Sequence, residues 1–126
     1  MSPLTIIRLT VAVLLGIHGF SRAFTGGVHG FGGFLASQHI PYAQVVAWAI
    51  TVFEMAGSIC LLTNRFVRIA ALGHLVILVT GIALVHAKSG WFVVGGGSNG
   101  AEYSVLLVAC LIAILVSSTP RLAPPR

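Results

Sequence analysis

The chain has 126 residues, 57% of them hydrophobic and only 7% charged, with a mean hydropathy of +1.03. That is too little polar surface to coat a soluble globule of this size, so the composition points to a bilayer. The net charge of +5 comes from seven Lys/Arg scattered singly against two Glu, without the clustered basic stripe a nucleic-acid face requires. Two cysteines, Cys60 and Cys110, with no C-x-x-C, argue against a disulfide scaffold or a thiol-disulfide oxidoreductase acting alone.

In chain order, four apolar stretches have the length that crosses about 30 Å of hydrocarbon, roughly 20 residues each. They fall near 4–24, 41–62, 67–88 and 101–118, and predict an all-α integral membrane protein, a four-transmembrane-helix bundle in one domain spanning 1–126. The first has no basic run before it and no small-x-small cleavage site after it, so it reads as a retained helix rather than a signal peptide. Gly-rich segments 25–40 and 89–100 read as outer loops, and 63–66 as a tight inner turn. Arg65, Arg68, Arg121 and Arg126 lie on the N-terminal side of the membrane, against Arg22 and Lys88 on the other. The positive-inside rule therefore places both termini in the cytoplasm.

The second Gly-rich segment contains G-x-G-x-x-G at Gly95, Gly97 and Gly100. A dinucleotide fingerprint needs a preceding strand, a βαβ unit and an acidic residue about 20 positions on. Here the motif sits between two membrane segments and is followed at that distance by Ser-Ser-Thr-Pro-Arg, so no dinucleotide is expected. The glycines read as a tight turn at the membrane surface.

Charged side chains within membrane helices cost about 2.5–3.5 kcal/mol on insertion scales, so each needs a partner or a purpose. At ~1.5 Å per residue, Arg8, Glu54 and His74 fall roughly 6–14 Å from the inner surface. They form a candidate buried charge network in which Glu54 pairs with Arg8 and His74 is close enough to join. Near the outer surface Arg22, His86 and Glu102 come together, with His18 one turn deeper on the helical face of Arg22. Glu102 opens the fourth helix, where the dipole favours an anion, and Tyr103 follows it.

Both groups have a structural reading, in which the charges neutralise each other and fix helix neighbours. The outer group also has a functional one. Phe20, Phe24, Phe31, Phe34, Tyr42, Trp48, Trp91, Phe92 and Tyr103 crowd that side, against Phe53 and Phe66 elsewhere. Part of this is an interfacial aromatic belt. Beside His18, Arg22, His86, Glu102, Tyr103 and Trp91 it also describes a pocket for a flat amphipathic ligand such as a quinone head group, with these residues as ligand-binding or proton-transfer candidates. Haem is disfavoured: His18 and His86 lie near one level, but paired histidines on two helices and C-x-x-C-H are missing. His29, His39 and His86 have no metal-ligand spacing, so no metal site is expected. Cys60 and Cys110 read as buried apolar thiols.

The stretches IIRLTVAVLLGIHGFSRAF, GFGGFLASQHIPY, FEMAGSICLLTNRFVRIAAL and HAKSGWFVVGGGSNGAEYSVLL follow one another in an order that resembles the DoxX family of small four-helix membrane proteins, over nearly the whole chain. The matching positions are Arg8, His18-Gly19 with a basic residue a turn later, Pro41, Glu54 with Gly57, Arg65/Arg68, His86 and Glu102-Tyr103. Two departures stand out: Arg22 replaces the family's common Lys, and the Gly-x-x-Ser-Leu-Asp ending of many members is missing. The first keeps the charge, and the second removes the basis for a role in the tail. The resemblance implies a multi-pass protein of a prokaryotic cytoplasmic membrane, in a family named for association with a thiosulfate:quinone oxidoreductase. Some relatives are proposed as membrane partners in redox or thiol-stress complexes, and distant ones act as chaperones or cargo receptors. Architecture follows from such a resemblance more firmly than activity.

Three functions remain open. The first is a membrane subunit or anchor of a quinone-linked oxidoreductase complex, partnered by another subunit or by copies of itself. The second is a non-catalytic scaffold, chaperone or assembly factor. The third is a carrier of a small amphipathic solute. No nucleophile with a matched base is present, which argues against autonomous catalysis.

Overall fold

A computed structural model describes residues 1–118, whose regular secondary structure is all helical, with no strand among them. Its elements are α1 (Pro3–Phe24), α2 (Gly27–Ser37), α3 (Ala43–Leu62), α4 (Val67–Leu84), a short 3-10 turn (His86–Ser89) and α5 (Glu102–Ser117). The helices α1, α3 and α4 are long and apolar enough to cross a membrane, while α5, with 16 residues, is shorter. Arg121 and Arg126, counted above for orientation, lie outside the described residues.

Local chemistry sets the helix ends. Ser2 caps α1 by accepting from the Thr5 N–H at 3.2 Å, with Pro3 behind it at the position where a missing N–H costs nothing. At the end of α3, Arg65 N–H donates to Cys60 C=O (2.9 Å) and Asn64 N–H to Leu61 C=O (3.4 Å), with Asn64 at φ 58°. This is a Schellman closure with asparagine in the left-handed position. His39, at φ 61°, closes α2 in the same way, through Ile40 N–H to Leu35 C=O and His39 N–H to Ala36 C=O.

The segment 25–40 is a correction to the sequence reading, because it folds as a helix over most of its length. Its glycines have poor helix propensity, yet Val28, Phe31 and Leu35 fall on one face and pack with Ala47 and Ile50 of α3 in a separate apolar cluster. Gly32 permits the contact, since a Cβ there would lie 2.2 Å from Gln44 Oε1 and 3.2 Å from Gln44 Cα. Tertiary packing outweighs propensity here. The third apolar segment is also shorter than expected, its α-helix stopping at Leu84 and tightening into the 3-10 turn at His86.

Helices α1, α3, α4 and α5 pack in a ring, α1 on α3, α3 on α4, α4 on α5 and α5 back on α1, with α2 lying against α1 and α3. Val11, Leu15, Leu61, Ala71, Leu107 and Leu111 fill the principal core. The antiparallel α1–α3 seam is set by glycine: a Cβ at Gly16 would meet Ser58 Cβ at 3.3 Å, and one at Gly19 would meet Glu54 Cβ at 3.0 Å. Around the outside, Ile6, Val13 and Ile17 of α1, Val45, Trp48, Val52 and Ile59 of α3, and Leu72, Val76 and Val79 of α4 are exposed. Apolar stripes of this extent face lipid far more readily than water. Cys60 and Cys110 are free thiols, half-buried against the principal core.

Candidate functional site

The α1–α3 register decides which charges meet. With Gly19 level with Glu54, Arg22 stands one turn further along α1, next to Thr51 on α3. Its guanidinium turns back into the bundle, and Nη1 donates to Glu54 Oε2 at 2.7 Å and to Thr51 Oγ1 at 3.2 Å. Thr51 in turn donates its hydroxyl to Ala47 C=O at 2.8 Å, so its donor and acceptor roles are consistent. The Arg22 guanidinium also lies over the Phe31 ring, 4.3 Å from its centroid. The ion pair is largely withdrawn from the surface, with side-chain exposures of 20% for Arg22 and 8% for Glu54.

This pairing corrects both charge groups expected from depth alone. Arg8 does not reach Glu54. It donates Nη1 to the carbonyls of Leu61 and Leu62, placing a cation at the negative end of the α3 dipole. His74 does not join Arg8 and Glu54 either. It is 1% exposed, packs edge-on to Phe53 at 5.4 Å, and fits because Gly57 opposite has no Cβ, which would stand 2.9 Å from Nε2. Glu102 does not pair with Arg22, and instead accepts from the N–H groups of Val93 (2.6 Å) and Val94 (3.0 Å).

A cavity of about 470 Å³ lies inside the ring of helices. Its polar wall is Arg22 and Glu54 with His18, His86, Tyr103, Asn99 and Ser104. Its apolar wall is contributed by Leu15, the α2 residues Phe31, Phe34 and Leu35, Ile50, the α4 residues Val76, Ile77, Leu78 and Leu84, and Leu107. His18, Val76 and Thr80 in this wall are exposed, so the cavity is open rather than sealed.

The loop 90–101 closes one end. It doubles back through three backbone bonds, Gly100 N–H to Phe92 C=O, Ala101 N–H to Gly90 C=O and Glu102 N–H to Trp91 C=O. Glu102 pins its tip, and His86 Nδ1 lies 2.8 Å from Asn99 C=O at its far limb. Gly95 and Gly96 take φ of 73° and 102°, left-handed values that favour glycine. The G-x-G-x-x-G is thus the hairpin of a lid. Val93, Asn99 and Gly100 of the lid face the cavity.

Of the outer residues expected to act together, the cavity wall includes His18, Arg22, His86 and Tyr103, whereas Glu102 and Trp91 stand outside it in or beside the lid. Glu54 is the residue that depth reckoning grouped with Arg8 rather than with Arg22, which reaches it from one turn further along α1. The usable clue was steric: the small residues Gly16 and Gly19 on α1 mark the seam that sets α1 against α3, while Gly57 beside Glu54 faces His74 of α4. Thr51 and Phe31, both bound to the Arg22 guanidinium, were missed as site residues. Two buried atoms near the seam, Ser58 Oγ and His74 Nε2, make no hydrogen bond within the protein. Among the described residues no three His, Cys, Asp or Glu side chains gather as metal ligands would.

A wall of this kind, mostly apolar with a few convergent polar groups and a buried ion pair, suits a flat ligand with an apolar body and hydrogen-bonding edges. The family comparison accords with the helical architecture: the DoxX family model matches residues 4–87. No curated protein and no solved structure matches the chain.

Proposed function

The chain belongs to the DoxX family, and on that footing we propose that it is a membrane subunit or anchor of a quinone-linked oxidoreductase complex in a prokaryotic cytoplasmic membrane. Four crossings accommodate the sequence best, with α5 as the fourth: its 16 residues span about 24 Å, and a small tilt or local thinning of the bilayer makes up the difference. Both termini then face the cytoplasm, with the lid on the outer side.

The observation that carries the ligand reading is the cavity itself. It puts Arg22, Glu54, His18, His86 and Tyr103 on one apolar-walled space of about 470 Å³. Arg22 and the Tyr103 hydroxyl have donors for a carbonyl oxygen, and His86, whose Nδ1–H is spent on Asn99 C=O, offers Nε2 as an acceptor for a ligand hydroxyl. Phe34 offers a ring face, and Glu54 is the carboxylate in the wall. The cavity is partly open, which gives a lipid-soluble molecule a route in from the bilayer. The scaffold reading draws on a different observation: Arg8 capping α3 and Glu102 holding the lid both have a structural task. Transport of an amphipathic solute ranks last, because four short helices leave little room for a path.

Native mass spectrometry of detergent-purified protein, with organic extraction and a visible spectrum of the same sample, separates these readings. A stoichiometric quinone that is lost in Arg22→Ala and His86→Ala supports the redox role. Ligand-free protein that retains another polypeptide supports the scaffold and refutes the quinone site.

A further inference from the structure

The opposite end of the bundle carries a second recess, and its charge is not balanced by any side chain of the protein. The whole sequence has two side-chain carboxylates against seven Lys/Arg. One, Glu54, is taken by Arg22, and the other, Glu102, by the lid amides. Arg8 and Arg68 nevertheless both line a groove of about 860 Å³ formed by the start of α1, the α3–α4 turn, the first turn of α4 and the end of α5.

The groove is amphipathic. Arg8 uses Nη1 on the α3 carbonyls, which leaves the remaining guanidinium donors for a ligand. Arg68 is exposed, and the structure shows it no hydrogen bond among the described residues. The N–H groups that open α4 have no side-chain cap, since its N-cap is Phe66, so the positive end of an 18-residue helix also faces the groove. Beside these donors run Leu4, Leu72 and Ile114. Two guanidinium groups beside uncapped amides recognise a phosphate, and an apolar wall beside them recognises an acyl chain.

We propose that this groove binds one anionic phospholipid, its phosphate held between Arg8 and Arg68 and an acyl chain lying along Leu4, Leu72 and Ile114. Such a site fixes the depth of the α3–α4 turn in the leaflet it faces and couples the stability of the protein to the anionic lipid content there. It is independent of the outer cavity and of what that cavity binds.

The test is native mass spectrometry of the full chain in detergent, titrated with phosphatidylglycerol or with phosphatidylcholine of the same acyl composition. One phosphatidylglycerol adduct is expected to survive at collision energies that strip phosphatidylcholine. Arg68→Gln is expected to weaken phosphatidylglycerol retention roughly fivefold, the equivalent of about 1 kcal/mol per basic residue near an anionic head group. Arg65→Gln, in the same turn but outside the groove, is expected to leave it unchanged. Arg8→Gln also removes the cap on α3, so the Arg68 variant carries the decision. Equal retention of the two lipids, or an Arg68→Gln protein that binds phosphatidylglycerol as the parent does, overturns the proposal. So does binding that appears only after residues 119–126 are deleted, since the groove would then be covered by the chain's own C-terminal segment.

Discussion

Replacing Arg22 by Met leaves the Glu54 carboxylate, 8% exposed, without the guanidinium that the structure pairs with it. At 2.7 Å and an effective dielectric constant of about 20, the gross attraction between the two groups is about 6 kcal/mol. Much of it offsets the cost of withdrawing both charges from water. The measurable quantity is therefore the cost of stranding one partner, about 3–5 kcal/mol for a buried pair. The reverse substitution, Glu54→Gln, is gentler. Arg22 keeps Thr51 at 3.2 Å and the Phe31 ring at 4.3 Å, and its 20% exposure lets the long side chain reach outward. That loss is about 1–2 kcal/mol. The double variant Arg22→Met/Glu54→Gln, with neither charge, is expected to lose only about 1 kcal/mol relative to the parent. Reversible unfolding in mixed micelles of detergent and SDS gives all four corners of the cycle, with an expected coupling of about 3–6 kcal/mol. A coupling below about 0.5 kcal/mol, or a Glu54→Gln variant less stable than Arg22→Met, refutes the claim that this pair joins α1 to α3.

Other substitutions test the packing and the lid. A Cβ at Gly73 would come within 2.0 Å of Phe53 Cζ, so Gly73→Ala should destabilise by about 1–3 kcal/mol in the same assay, and Phe53→Leu should recover part of the loss. Gly32→Ala should loosen α2 from α3 without unfolding the ring, seen as faster proteolysis within 25–42 at an unchanged unfolding midpoint. Ser58 Oγ is buried with no partner in the protein, so Ser58→Ala should be neutral or stabilising by about 1 kcal/mol; a loss of stability would show that the hydroxyl is hydrogen-bonded to an internal water. Glu102→Ala removes the acceptor for Val93 and Val94, and their amide hydrogen exchange should accelerate while that of α3 stays as in the parent.

Much of the architecture is a one-dimensional property of this chain. Mean hydropathy, apolar run length and the turn chemistry at Thr63–Asn64–Arg65 are local, and they specify apolar helices with ends within a few residues of those observed. The same locality explains why His18, Arg22, His86 and Tyr103 could be assigned to one neighbourhood, since all four lie near the same ends of their segments. Depth along a helix axis follows from counting residues at ~1.5 Å each.

Azimuth and reach do not follow from counting. An arginine side chain is long enough to act a full turn away from its own Cα, so Arg22 pairs with a carboxylate reckoned to lie in the other half of the membrane, and Arg8 is left to cap α3. A run of glycines reads as a loop until the surface it packs against is known, and α2 exists because Val28, Phe31 and Leu35 have α3 to bury against. The sequence by itself therefore determined the class of the protein, its apolar helices and which residues carry charge. Only the tertiary structure decided which charges meet, because that depends on where glycine lets two helices touch and how far a flexible side chain can bend back to find its partner.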